Sequence, residues 1–514
     1  MFSNKKDIFI LISLSLFAFL SVMWVKEVDI MEARNFISAS EMLQNSDWWT
    51  TTLNGQLRFE KPPLPTWFTA LTMLITHSKS ETILRIPSVL CSIFTVIFLY
   101  SSLIKIKKDR LLAFLSSFIL LTAFMFIKLG AENTWDIYSY TFAFCASLSL
   151  YLYLMNGNNK DLFFTIIFLI LSFLSKGPVA FYSVFIPFVI AYFCTYSKEN
   201  WKRKIIFIVL AIIIALAISS VWAISMYLSH SEYFLGVLKK ESSTWSTKHI
   251  HGIFFYLDYF IYMGSWLFFS VFIFFKFPSK KEDRIFYIWT IISLIFISIV
   301  QMKKKRYGLP IYLISSMTIG QLCTCYFRTP YEKLKKSEKI LLIIQQYFLI
   351  VVIIMSLVFL TYFSYIEKEI SFVLFLLYIA IHLIFLFTIL YKKFNYAKRI
   401  IIISGLIMLL LNFSSAWVFE NKFTQDKLLK FKIPVSQEIV KNNSPVYSEG
   451  FDIEEVWRIG KKIKELKDIP QEKEIFYLGD NINDKLLENY KVINTYEYQK
   501  INHKFTKIYH LERK

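Results

Sequence analysis

The segment Asn54-Gly55-Gln56-Leu57-Arg58-Phe59-Glu60-Lys61-Pro62-Pro63-Leu64 sets ionisable groups in a rigid frame. Pro62 and Pro63 fix their own φ and bias the residue before each toward extended backbone. Glu60 and Lys61 are thereby held at a helix entrance, with Arg58 just upstream. Asp29, Glu32 and Arg34 lie ahead of this segment, immediately beyond the first apolar run, and Asp136 opens a later one with Glu132 before it. Each alone reads as a solvated loop charge. Gathered on one side of a membrane in three loops, where ionisable groups are costly unless solvated or paired, they read as a site. Carboxylates there can take a proton, with Glu32 first, Asp136 second and Asp29 third in order of expectation, while Lys61 and its neighbours can hold an anion.

Two further groups add to this chemistry. Lys303, Lys304, Lys305 and Arg306 form a basic cluster in a loop that charge alternation assigns to the outer face, where few cations are expected. The functional reading is a receptor for an anionic group, with phosphate the obvious candidate; the alternative is an error of one span in the count. Lys176, in Ser175-Lys176-Gly177-Pro178, falls at the same outer level. His249 and His251 stand in another outer loop, after Glu241 and Trp245 and before Tyr256 and Tyr259. Two histidines two residues apart with a carboxylate suit a metal, and suit ordinary loop hydrogen bonding equally well.

The elements that position these residues are membrane helices. Of 514 residues, 55% are hydrophobic and 18% aromatic, with mean hydropathy +0.47, a composition that fits a polytopic membrane protein and no soluble domain of this size. Apolar runs at 8–25, 83–104, 111–129, 135–155, 161–175, 178–196, 205–228, 253–275, 285–301, 307–326, 340–363, 371–391 and 400–419 predict about thirteen spans, each about 20 residues where complete. Strand-like alternation is absent, which excludes a membrane β-barrel. The net charge of +20 is distributed by topology rather than along a polyanion-binding surface. Lys105, Lys107, Lys108 and Arg110; Lys198, Lys202, Arg203 and Lys204; Lys276, Lys280, Lys281 and Arg284; Arg328, Lys333, Lys335, Lys336 and Lys339; and Lys392, Lys393, Lys398 and Arg399 fall on alternate loops. The positive-inside rule places those loops and the N-terminus, with Lys5 and Lys6, in the cytoplasm.

Residues 8–25 have no small-residue cleavage site after them and read as a retained first span. Cys91, Cys145, Cys194, Cys323 and Cys325 all fall in or beside spans, so no disulfide framework is expected. Residues 1–419 form the membrane domain, interrupted by outer loops 26–82 and 229–252, and residues 420–514 form an extracytoplasmic domain punctuated by Pro434, Pro445 and Pro470. In the first loop, Phe36, Ile37, Met42 and Leu43 predict a helix over 29–45, followed by the interfacial pair Trp48 and Trp49. In the last domain, 474–478, 492–498 and 505–511 predict strands, and 453–466 and 482–490 predict helices, a small α/β fold.

Met31-Glu32-Ala33-Arg34-Asn35-Phe36, Glu41-Met42 and Asn54-Gly55 through Glu60-Lys61-Pro62-Pro63-Leu64-Pro65-Thr66-Trp67 resemble the first loop of the bacterial lipid A aminoarabinose transferases and the protein mannosyltransferases. Trp135-Asp136-Ile137-Tyr138, Ser175-Lys176-Gly177-Pro178, the Glu241, His249 and Tyr256 loop, and Lys305-Arg306-Tyr307-Gly308-Leu309-Pro310 continue the resemblance in order from about residue 8 to about 325. It implies a GT-C fold with thirteen spans and an outer C-terminal domain. It implies transfer of a sugar, with inversion, from a polyprenyl-phosphate donor to a lipid, glycan or protein acceptor at the outer face of the plasma membrane, as in lipid A modification and cell-envelope glycosylation. By motif, Lys61 contacts donor phosphate, Glu60 and His249 line the cavity, and Asp136 is a second essential carboxylate. No cofactor is required, and a divalent metal such as zinc would turn to Glu60 and His249. Met31 stands where the family often has an aspartate, and Trp245 near the place of an expected arginine.

The rival class is a transporter or flippase for a lipid-linked sugar, which needs ionisable residues or broken helices near the bilayer midplane. Here the charges cluster at the outer rim. The orientation itself is testable: a topology reporter fused after Phe419 reads extracytoplasmic and one at Lys335 reads cytoplasmic, and a cytoplasmic signal from the first would overturn the shared-face reading.

Overall fold

Apolar runs in lipid must satisfy their backbone internally, and helices do so. The computed structural model describes residues 5–24, 27–196, 200–278, 280–366, 372–391, 396–424, 439–499 and 505–514. Lys198, Lys392, Lys393 and Pro434 lie outside them. The chain divides into two compact units, the first Met1–Met23, Phe59–Pro65 and Arg85–Ala416, the second Trp24–Arg58, Thr66–Leu84 and Trp417–Lys514. Most of the first outer loop thus folds with the C-terminal segment.

In the first unit, every expected span contains helix. Among the described residues seven helices are long and apolar enough to cross a membrane, or up to nine if each bent pair counts once. The bent pairs are Arg110–Leu121 with Phe124–Gly130, at 66°, and Ile253–Tyr262 with Gly264–Phe275, at 103°. Helices Trp135–Asn156 and Leu309–Arg328 are buried along almost their whole length. Trp201–Ser229, Lys336–Thr361 and Phe372–Leu390 instead expose apolar side chains such as Ile213, Met355 and Phe387, as lipid-facing helices do.

Small residues bring the inner helices together. A Cβ on Gly320 would meet Ser116 Cα at 3.0 Å, and one on Gly405 would overlap the Phe118 ring. Gly157, at φ +68, ends helix Trp135–Asn156, and the Asn158 side chain then accepts from Lys160 N to start helix Asn159–Lys176. The two helices form an antiparallel hairpin, so the beginning of one lies beside the end of the other.

In the second unit, Asp29 caps helix Ile30–Gln44 by accepting from Met31 N and Glu32 N at 2.9 and 3.0 Å. That helix matches the expected 29–45 and packs Phe36 against Trp457, with ring centroids 5.1 Å apart. Strands β1 (Thr52–Leu53) and β2 (Gln56–Leu57) form a hairpin around Asn54 and Gly55, both at positive φ as a primed turn requires. Glu41 accepts from Thr52 Oγ1 and Gly55 N at 2.5 and 2.9 Å, which ties the hairpin to the helix.

The C-terminal fold is a mixed five-stranded sheet in the order β4-β3-β5-β7-β6, with β3 Val446–Ser448, β4 Ile463–Glu465, β5 Glu474–Gly479, β6 Tyr490–Gln499 and β7 Phe505–Arg513. Alternation buries both faces: Val446, Phe476, Leu478 and Ile508 on one, Tyr447, Ile475, Tyr477, Tyr509 and Leu511 on the other. The helix expected over 453–466 is shorter, Ile453–Ile459, because Gly460 adopts φ +74 and closes it, after which 463–465 becomes strand β4. The helix expected over 482–490 is Asp484–Asn489.

The Gly320 contact gives a stability test. Gly320→Ala must push helix Leu309–Arg328 away from Ser116, so the purified protein should melt earlier, by the equivalent of about 1–3 kcal/mol for overpacking; an unchanged melting temperature would show that the contact is slack.

Candidate active site

Phe59 is locked in an aromatic cage, 5.4 Å from Tyr233 and 6.3 Å from both Trp222 and Phe234 by ring centroids. Three residues later, the Pro62 carbonyl accepts from Trp135 Nε1 at 3.3 Å. Glu60 and Lys61 are therefore fixed on both sides, and Lys61 Nζ reaches Glu241 Oε2 at 3.2 Å. That pair is partly open, with side chains 20% and 33% exposed.

The helical hairpin supplies the second ion pair. Asp136 occupies the first turn of Trp135–Asn156 and Lys176 the last position of Asn159–Lys176, so the antiparallel arrangement joins Lys176 Nζ to Asp136 Oδ1. Both side chains are almost completely buried, and Asp136 Oδ2 has no hydrogen-bond partner among the described residues. Burying two charges is costly, and the surroundings compensate in part: Lys176 Nζ lies 4.1 Å from the Tyr307 ring centroid and 5.8 Å from that of Tyr140.

Other charges converge on this pair. Lys176 interacts electrostatically with Lys61 and Arg306, and Tyr307 with Asp136, Arg306, Tyr256 and Glu241. Tyr256 is buried, and its hydroxyl donates to the Lys304 carbonyl at 3.3 Å. Lys61, Asp136, Lys176, Glu241, Tyr256 and Arg306, scattered over more than 240 residues of sequence, thus share one neighbourhood with Tyr140 and Tyr307. Sequence reasoning missed both of these tyrosines. Tyr307 follows Arg306 directly, and Tyr140 sits four residues after Asp136 on the same helix face, which is the signal that could have found it.

The basic cluster divides its work. Lys303 is buried, donating to the His251 and Val300 carbonyls at 2.9 and 2.5 Å, and burial holds its ammonium below the ordinary range. Its backbone N–H donates to the His249 carbonyl at 2.9 Å, so Lys303 ties two loops together. Lys305 pairs with Asp258 and lies 4.1 Å from the Phe255 ring centroid. Arg306 is the member that interacts with Lys176.

His249 is exposed at φ +54, and the Lys304 ammonium beside it lowers its imidazole below the ordinary value, with smaller contributions from desolvation, His251 and Lys248. Neutral imidazole suits a metal. Yet among the described residues no three His, Cys, Asp or Glu side chains gather as a metal site, so Glu60 and His249 do not complete the expected zinc set.

Asp29, Glu32, Arg34 and Arg58 belong to the second unit. Asp29 is the helix cap, Glu32 is fully buried in the same helix, and Arg34 and Asp29 both act electrostatically on Glu454, whose carboxyl is raised chiefly by burial. Arg58 is buried, its backbone N–H donating to the Thr51 carbonyl at 2.9 Å.

The buried pair is testable by a double-mutant cycle. Lys176→Met strands the Asp136 carboxylate and should cost about 3–5 kcal/mol of stability, whereas Lys176→Met with Asp136→Asn should cost much less. Additive losses in thermal melts would mean that the two groups are not coupled.

Residues 60–224 match the family model described as dolichyl-phosphate-mannose-protein mannosyltransferase. An uncharacterized protein of Aquifex aeolicus is 29% identical over 287 residues, 54% of this chain and 55% of that protein. The undecaprenyl phosphate-alpha-4-amino-4-deoxy-L-arabinose arabinosyl transferase of Photorhabdus laumondii is 25% identical over 303 residues, 54% of this chain and 52% of the relative. The match thus spans about half the length of these relatives. The crystal structure of ArnT from Cupriavidus metallidurans bound to undecaprenyl phosphate superposes with a TM-score of 0.72 at 14% identity, covering 99% of this chain and 98% of that one. The chain therefore has the GT-C fold of that structure, and it resembles the aminoarabinose transferases and protein mannosyltransferases in sequence.

Proposed function

We propose that the protein is an inverting glycosyltransferase that moves a sugar from a polyprenyl-phosphate donor to a lipid, glycan or protein acceptor. The reaction takes place at the outer face of the plasma membrane, with the N-terminus cytoplasmic and the C-terminal domain extracytoplasmic. The observation that carries this reading is the convergence of Lys61 and Arg306 on the buried Lys176–Asp136 pair. The family match over 60–224 and the undecaprenyl-phosphate transferase among the relatives favour this reading over a transporter.

An acceptor hydroxyl or amine attacks the anomeric carbon, and the bond from that carbon to the phosphate oxygen breaks. The electron pair leaves with the polyprenyl phosphate, whose growing charge Lys61 and Arg306 stabilise. Glu241 holds Lys61 through a partly exposed carboxylate, and a donor phosphate oxygen can replace it there. The acceptor's proton passes to a carboxylate. Asp136 offers Oδ2, which receives no hydrogen bond among the described residues while Oδ1 holds Lys176, and Glu32 and Asp29 are the alternatives. Lys176 orients Asp136, and Glu60, His249 and Tyr256 line the cavity.

Full-length protein in detergent, given undecaprenyl-phosphate-linked sugars and a panel of lipid A, glycan and protein acceptors, should release undecaprenyl phosphate and yield a glycosylated product detectable by mass spectrometry. Lys61→Ala should lower turnover on the order of a hundredfold or more while folding is retained. Asp136→Asn and Glu32→Gln identify the base as the one whose loss costs at least about a hundredfold with donor binding kept. Sugar movement across a sealed vesicle without cleavage of the phosphate bond would replace the enzyme with a transporter.

A further inference from the structure

At the opposite end of the first unit's helices lies a groove of about 880 Å³ that the proposed reaction does not use. Helix Leu309–Arg328 sets its distance from the candidate active site. Arg306 precedes its start and Arg328 ends it, and 20 residues at 1.5 Å rise separate the two ends by about 30 Å. The groove has two chemically distinct parts. Its mouth carries Lys107, Lys108, Arg110 and Arg328; Asp7 and Asp109 lie there too, and Lys107 is paired with Asp283 at 3.1 Å, so Lys108 is the cation in excess. The wall is apolar, with Leu14, Phe114, Phe118, Ile402 and Leu406.

The two arginines are held in place and still face outward. Arg110 donates to both oxygens of Asp7 at 2.5 and 2.7 Å, and Arg328 to both oxygens of Asp109 at 2.8 and 2.7 Å, yet each arginine side chain remains 56% exposed. Asp7 is further fixed by Tyr100, whose hydroxyl donates to it at 2.6 Å. Lys108, at φ +52 beyond the end of its helix, is exposed and has no salt bridge among the described residues. Lys398, lying 5.0 Å from the Phe327 ring centroid, adds a further cation beside the groove. An excess of ordered cations above an apolar slot matches one ligand shape: a phosphate head on hydrocarbon chains.

We propose that this groove is a binding site for an anionic glycerophospholipid, with its phosphate on Lys108, Arg110 and Arg328 and an acyl chain along Leu14, Phe114 and Ile402. The site clamps helices Lys5–Leu20, Arg110–Leu121, Leu309–Arg328 and Tyr396–Thr424 at their basic ends and is independent of the proposed reaction.

Delipidated full-length protein in detergent, titrated with phosphatidylglycerol, should bind it saturably by native mass spectrometry and melt at higher temperature. Phosphatidylcholine should do neither. Lys108→Glu should weaken phosphatidylglycerol about fivefold or more, because reversing one near-surface charge removes an attraction and adds a repulsion. Leu14→Trp, which fills the wall without touching a charge, should weaken it as well. Both variants leave the Asp7–Arg110 and Asp109–Arg328 pairs intact, and their unliganded melting temperatures report folding separately from binding. Equal binding of the two lipids, preference for undecaprenyl phosphate over phosphatidylglycerol, or wild-type binding by both folded variants would each overturn the proposal. None of these readouts depends on sugar transfer.

Discussion

The buried ion pair between Lys176 and Asp136 governs the arrangement of the rest of the site. Removing two charges from water costs several kcal/mol for each ion, on the order of what their attraction returns. The pair is thus tolerable only if its geometry is fixed and its surroundings are polarisable. The hairpin of Trp135–Asn156 and Asn159–Lys176 fixes the geometry, and the tyrosine rings at 307 and 140 supply the polarisable walls. A single buried contact therefore specifies where the first helix begins, where the second ends, and which face of the loop before Leu309 must turn inward.

The segment around Glu60 serves both units. Its first half is a hairpin whose Asn54 exchanges hydrogen bonds with Ile463 at 2.8 and 3.0 Å, wholly within the second unit. Its second half, from Phe59, is held by aromatic contacts and by Trp135 within the first. The proposed role of Lys61 requires it to be rigid, and rigidity in a loop comes from anchors on both flanks. Two prolines provide local stiffness, while the cage around Phe59 provides the long-range part.

Much of this was legible in the sequence. The apolar runs located the helices, Asp29 marked the start of its helix, and the segments 474–478, 492–498 and 505–511 read as strands are β5, β6 and β7. Local signals were weaker where a single residue redirects the chain. Gly460 converts the second half of an expected helix into strand β4, because a left-handed conformation there ends one element and frees the next residues to pair with β3. Of the four basic residues at 303–306, the sequence could say that they were out of place for an outer loop. It could not say that Lys303 bonds backbone carbonyls, that Lys305 meets Asp258, or that Arg306 acts electrostatically on Lys176. Those choices depend on which loop lies opposite, here the bridge between Ile250 and Met302. The bends of the span pairs escaped the sequence for the same reason.

The two ion pairs of the candidate site differ in a way that assigns them different work. Lys61 and Glu241 are partly exposed at 3.2 Å, a regime in which an ion pair contributes little to stability and exchanges readily for another anion. Lys176 and Asp136 are sealed, and separating them would leave a bare charge in a low-dielectric environment. On the proposed reading, the first pair is therefore suited to open when a phosphate arrives, and the second to stay closed. A carboxylate that keeps one oxygen on a fixed lysine and the other without a hydrogen bond among the described residues has its orientation settled before any substrate binds. In the proposed reaction, that is the preorganisation that proton transfer at a positioned base requires.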